Sequence, residues 1–298
     1  MTQLQNIYLA TLTRSATNSG TNSKITLVVN QRGVDRLNHT FGDTVQADQE
    51  KGQANLYQLD VRNKGIDSER LTEGSVRVGT LGDDEWRPEI LFLWGTGPVS
   101  SNAPGLPPPV VPLAIETSIT TRLSTNDSNA VPSMTVRPIR TRSNMFINRL
   151  LFIVTTAWEP GRWETGISDP GPSGKGTNDR VEIEIFAEGS LAVKHVISDT
   201  PQDDLEPGQV NMYDIPVAVP FRRSSMGTNS VRLSITGTDL WLPLRVYLFG
   251  MDALEGHPGA IVPLVHIDNW GIVPLSTDTE EGNPRVVLPL VPRTQDST

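Results

Sequence analysis

The chain has 298 residues, no cysteine and a formal net charge of −9. The missing thiols exclude disulfides, zinc–thiolate sites and cysteine nucleophiles, so stability must come from packing. The acidic balance disfavours bulk binding to nucleic acid or anionic lipid, both of which need clustered Lys and Arg.

The length favours two cores, and 25 Gly and 23 Pro with only 20% charged residues and no long helical period predict short strands and turns. The opening stretch MTQLQNIYLATLTRS has no basic n-region, no apolar h-region and no small-residue cleavage site. No window reaches the roughly 18 consecutive apolar residues of a membrane helix. The expectation is a soluble chain without a signal peptide or transmembrane segment, cytoplasmic or assembled into a particle.

Asn6–Thr13 (NIYLATLT) reads as a first strand, followed by a short loop, Gly20-Thr21-Asn22 and a second strand over 24–30 (KITLVVN). Gly33 closes that strand. Residues 39–57, HTFGDTVQADQEKGQANLY, then recur at 195–213 as HVISDTPQDDLEPGQVNMY, identical at ten of nineteen positions with one fixed offset. A match this long and this polar predicts an internal duplication, each copy one structural unit.

The repeat extends in both directions. Asn6–Thr13 aligns with residues 148–155, and 24–30 with 180–186 (RVEIEIF), whose alternation predicts Val181, Ile183 and Ile185 inward and Glu182 and Glu184 outward. Ser75-Val76-Arg77 returns as Ser230-Val231-Arg232, and Trp86-Arg87-Pro88 as Trp241-Leu242-Pro243. ILFLWG at 90–95 and RVYLFG at 245–250 are continuous apolar runs suited to a central strand covered on both faces. The second copy alone inserts a loop at 156–175. The predicted fold is all-β: two duplicated eight-stranded β-sandwich domains side by side, 1–143 and 144–298, PLAT-like or jelly-roll-like.

The Gly20-Thr21-Asn22 turn before KITLVVN, the block SVRVGTLGDDEW and the closing ILFLWG resemble the PLAT (lipoxygenase-homology) domain, in two tandem copies. The second copy repeats Gly176-Thr177-Asn178 and Trp241 but has Ser234 where Gly79 matches the family's glycine. The resemblance spans roughly 5–95 and 146–250, leaves 105–142 and 256–292 uncovered, and comes without an attached catalytic domain. It implies a non-catalytic domain that docks on lipid surfaces or proteins, in some members with calcium. The implied Ca²⁺ positions are Gly20 and Asn22 with Asp84, and Gly176, Asn178 and Asp179 with Asp239. They require two loops to meet at one end of the sandwich. Ser23 stands where the second copy has Asp179, so the second position is the stronger expected binder.

Other candidates carry two readings each. His39, Asp43, Asp48 and Glu50, with their twins His195, Asp199, Asp204 and Glu206, offer hard oxygen ligands for Ca²⁺. The same Asp can instead cap turns, and Gln53 and Asn55 satisfy backbone groups, which is the reading this turn chemistry favours. Trp158 and Trp163, flanking Pro160 and Arg162 in the inserted loop, are candidates for a recognition surface or for packing on their own sandwich. Trp86 and Trp241, equivalent and each separated by one residue from a Pro, are expected to pack.

A catalytic reading has little support. Ser224-Ser225 and Ser143 lie in no G-x-S-x-G elbow or ordered Ser/His/acid set, and no glycine-rich phosphate loop occurs. Two non-enzymatic expectations remain. One is a tandem β-sandwich module recognising a protein, lipid surface or glycan through end loops, with Ca²⁺ or without a cofactor. The other is a structural subunit, such as a viral capsid or particle protein with a duplicated jelly roll, that self-associates. Neither expectation includes direct contact with nucleic acid.

Overall fold

In the computed structural model, Ile7 lies opposite Leu59 on one side and Gly95 on the other, which makes β1 (Asn6–Thr13) the middle of a sheet between β4 (Ala54–Asp60) and β6 (Pro88–Thr96). The structure describes residues 3–42, 49–99, 107–126, 128, 130–139, 145–157, 176–197, 205–254, 257–271 and 273–292. The chain divides into two compact units, Met1–Thr141 with Leu254–Ile261, and Arg142–Ala253 with Val262–Thr298. The described residues are almost wholly strand and turn; Ser68–Arg70 and Arg223–Ser225 form single 3₁₀ turns.

The first unit is completed by β2 (Lys24–Gln31), β3 (Val34–Thr40), β5 (Val76–Leu81), β7 (Val110–Thr117) and β8 (Ser133–Pro138). Its strands run in the orders β4-β1-β6-β7 and β3-β2-β5-β8, with β8 also touching β7 at Ala114–Pro138. Leu91 and Leu93 from the one sheet and Ile25, Leu27, Val76 and Val78 from the other share one buried cluster, so the unit is a β-sandwich.

The second unit contains β9 (Phe146–Thr156), β10 (Val181–Ala187), β11 (Ser190–Val196), β12 (Val210–Arg222), β13 (Val231–Ile235), β16 (Arg285–Val287), β14 (Pro243–Leu254) up to Ala253 and β15 (His257–Ile267) from Val262 on. Its orders are β12-β9-β14-β15 and β11-β10-β13-β16, the same neighbours in the same sequence as in the first unit. The hairpins agree in detail. Arg32-Gly33 joins β2 to β3 with φ of 55 and 79, and Glu188-Gly189 joins β10 to β11 with φ of 51 and 77. Two consecutive left-handed residues make the turn whose twist matches the flanking strands, and this is where glycine is required.

The run 90–95 is buried throughout, in a strand paired on both sides. Leu91 and Leu93 face the core, while Phe92 and Trp94 lie on the opposite face, where Trp94 stacks on Tyr8 and on Phe92 with centroids 5.1 Å apart in each pair.

Two expectations need correction. The sequence alignment pairs Asn6 with Asn148, but Leu150, not Arg149, lies opposite Ile215 and Gly250, the counterparts of Leu59 and Gly95. The true match is therefore one residue later, Thr13 with Thr156, and the inserted loop is one residue shorter. Leu150 to Thr156 are buried on both faces of β9, so apolar alternation carries no phase there. The second correction concerns Glu182 and Glu184, which point away from the core but are only 5% and 8% exposed. Lys194 lies 2.7 Å and Arg180 2.8 Å from Glu182, and Lys194 and Arg285 approach Glu184 at 3.6 and 3.7 Å. Long cationic side chains can lie across a sheet face and cover what is beneath them.

Candidate functional site

At one end of the first unit three loops meet: residues 18–22, the signature turn at 50–51, and 84–87. The signature positions hold the middle loop. Asn55 Oδ1 accepts from Gln49 N–H at 3.1 Å and Gln53 Oε1 from Glu50 N–H at 3.0 Å, with Gln49 at φ 60. In the second unit Asn211 and Gln209 make the same bonds to Leu205 at 3.2 Å and Glu206 at 3.0 Å. Gln and Asn therefore cap the turn in both units. Gly20 packs on this turn so closely that a Cβ would lie 3.0 Å from the Gln49 carbonyl oxygen, and at Gly176 it would lie 2.8 Å from that of Leu205. The repeated glycine is a requirement of close approach.

Beneath the loop, Gln49 is fully buried. Thr11 and Thr13 hydroxyls donate to its Oε1 at 3.1 and 3.2 Å, and its Nε2 donates to Tyr57 Oη at 2.9 Å. Trp86 Nε1 closes the network on Thr13 Oγ1 at 3.0 Å. Trp86 and Trp241 are both completely buried.

The predicted metal residues do come together. Asp84 Oδ2 accepts from Asn22 N–H at 2.9 Å, and the Asp84 amide donates to Ser23 Oγ at 3.1 Å. In the second unit Asp239 Oδ2 accepts from Asn178 N–H at 3.4 Å, while Asp179 Oδ2 accepts from the Asp239 amide at 2.7 Å. Asp179 thus takes over the hydrogen bond that Ser23 makes. These bonds use Oδ2 of each carboxylate. Among the described residues no group of three or more His, Cys, Asp or Glu is arranged to hold a metal.

The remaining candidates separate. His39 packs edge-on against Phe41 with centroids 4.9 Å apart, and burial pushes the His195 imidazole below its ordinary range. Asp43, Asp48, Asp199 and Asp204, and the interaction residues Trp158, Arg162 and Trp163, lie outside the described residues.

Sequence reasoning missed what surrounds Asp84. The three loops form an open cleft of about 560 Å³ lined by residues 18–22, 50, 51, 84, 85 and 87, all polar or glycine. Glu85 is held by Arg87 and by Arg122 Nη1, the latter at 2.9 Å. Ser19 is fully buried there, and its Oγ has no hydrogen-bond partner. The differences between the copies were legible: Lys51, Glu85 and Arg87 correspond to Pro207, Leu240 and Leu242.

No family model matches the chain, and no curated protein matches it. The alpha toxin from Clostridium absonum is a solved structure similar to part of it, at 16% identity and a TM-score of 0.34. The match covers 46% of this chain and 32% of the toxin chain, so it spans about a third of that protein.

Proposed function

We propose that the chain is a non-enzymatic tandem β-sandwich binding protein, PLAT-like in organisation, that recognises its partner through loops at the end of the first unit. The observation that supports this reading is the open polar cleft at 18–22, 50–51 and 84–87, formed where three loops of the sandwich meet. Loops carried by a rigid scaffold are where recognition usually resides. Glu50, Asp84 and Glu85 outnumber Lys51 and Arg87 there, which disfavours an anionic lipid surface. Among the described residues no helix is long and apolar enough to cross a membrane. Calcium at Asn178, Asp179 and Asp239 belongs to the same proposal as an accessory of the second unit, with Asn22 and Asp84 the weaker counterpart.

One observation favours the structural-subunit reading. β11 ends its sheet, has Lys194 as its only Lys, Arg, Asp or Glu, and leaves Leu191 51% exposed, whereas β3 carries Asp35 and Arg36. Unguarded edge strands tend to pair with other edges. Mass photometry of the full chain, with and without Asp84→Lys, together with binding to glycan and lipid arrays, decides between them. A monomer whose binding is lost in the variant supports end-loop recognition. A defined oligomer with no array binding overturns it in favour of assembly.

A further inference from the structure

We infer that the strand pair β14–β15 of the second unit is an acid-sensitive clasp: protonation of His266 loosens β15 from the edge of its sheet, while the matched strand of the first unit, β7, stays in place.

The two units differ here by four exchanges. In the first unit Ile90 lies opposite Thr117 and Phe92 opposite Ile115. The runs ILFLWG and RVYLFG put Arg245 and Tyr247 at the positions of Ile90 and Phe92. Leu264 O accepts from Val291 N–H as Leu113 O accepts from Ile139 N–H, which puts His266 and Asp268 at the positions of Ile115 and Thr117. Four places that hold three apolar residues and a threonine in the first unit thus hold a guanidinium, a phenol, an imidazole and a carboxylate in the second. Any response to pH at this place belongs to the second unit alone.

The geometry leaves a protonated His266 poorly accommodated. Its side chain is only 5% exposed, and its ring lies on Tyr247 with centroids 4.8 Å apart. Tyr247 Oη donates to Asp268 Oδ1 at 2.7 Å, while His266 Nε2 is 3.9 Å from that same oxygen, beyond hydrogen-bond reach. Arg245 and Tyr247 on β14 and Asp268 on β15 are the charged and titratable groups that face it. Burial, opposed by Asp268 and reinforced by Arg245, holds the imidazole below its ordinary value of 6.5. Acid therefore forces a second positive charge into a buried place beside Arg245. A depressed histidine contributes its full stability above the unfolded value, and that contribution is lost as pH falls below about 6.5 towards the folded one. β15 ends its sheet, held by the ladder to β14 and by the Val291–Leu264 bond, so it separates at lower cost than β7, which is paired with both β6 and β8.

The test is hydrogen–deuterium exchange with mass spectrometry on the full chain at about pH 7.5 and about pH 5.5, the span in which histidine titrates, corrected for the intrinsic pH dependence of exchange. The expected result is that protection over residues 262–267 falls by about threefold or more on acidification while that over 110–117 holds. His266→Ile, which copies the first unit, removes the fall, and Arg245→Ile, which takes away the neighbouring charge, reduces it. Where His266→Ile does not fold, His266→Gln gives the same reading with a side chain that is neutral at both pH values. His195, the other described histidine held below its ordinary value, lies on β11 in the other sheet and is untouched by these variants. No acid loss at 262–267 in the native chain, an equal loss over 110–117, or a loss that persists in the His266 variant overturns the clasp.

Discussion

Trp241 Nε1 donates to Thr156 Oγ1 at 3.0 Å, and both residues are completely buried. The same bond, at the same length, joins Trp86 to Thr13 in the first unit. An indole N–H in a core must find an acceptor, and a threonine at the end of the central strand supplies one. Thr156→Val is isosteric but leaves the N–H unsatisfied, so it should cost about 1–3 kcal/mol in urea unfolding. Thr13→Val should cost more, because Thr13 also donates to Gln49. A Thr156→Val loss within about 0.5 kcal/mol, the scale of neutral surface changes, would count against the bond.

Gln49→Leu copies what the second unit has at Leu205 and removes the acceptor of the Thr11 and Thr13 hydroxyls and the amide that donates to Tyr57. We expect a loss of about 1–3 kcal/mol from the buried unpaired groups. Adding Thr11→Val, which copies Val154, should recover part of it. A double variant no better than the single one in denaturant midpoint would refute the shared network.

Gly79 and Ser234 occupy equivalent positions, yet they are not interchangeable. A Cβ at Gly79 would strike the Pro132 carbonyl and the Ser133 side chain. Ser234 instead lies opposite Arg285 with room for its side chain. Gly79→Ser should therefore destabilise the first unit by about 1–3 kcal/mol through overpacking, although its twin carries that very residue. Circular dichroism melting of the variant is the check, and an unchanged Tm contradicts the clash.

Hydrogen bonding from Lys194 holds the Glu182 carboxyl below its ordinary value of 4.5, against the opposing effect of burial, and the bond to Glu182 raises Lys194 above 10.5. A depressed carboxyl contributes stability above its unfolded pKa, lost as pH falls through the folded one. A raised amine contributes below its unfolded pKa, lost as pH rises through the folded one. The pair should thus stabilise a plateau between roughly pH 5 and pH 10 that erodes on both sides. Lys194→Met should lower the plateau and weaken the alkaline limb. Urea midpoints across that range measure it, and parallel profiles for the two proteins would exclude the coupling.

Asp179→Ser separates metal binding from turn capping. Ser23 already accepts the Asp84 amide, so serine at position 179 keeps the turn and removes a carboxylate. If calcium binds through Asn178, Asp179 and Asp239, millimolar calcium should raise the Tm of the native chain and not of the variant. No rise in the native chain would leave capping as the sole role.

The all-β class, the strand content and the doubly covered strand at 90–95 were legible because each is local: turn glycines, β-branched runs and continuous apolar stretches speak within a few residues. The meeting of Asn22 with Asp84, and of Asn178 and Asp179 with Asp239, was legible through the family resemblance. The register of β1 against β9 was not, since a strand buried on both faces has no polar phase to read. Nor was the covering of Glu182 and Glu184, which depends on Lys194 and Arg285 arriving from neighbouring strands. The cleft beside Ser19 was decided only by tertiary structure: three loops far apart in the chain must converge before it forms, and sequence spacing does not encode that convergence.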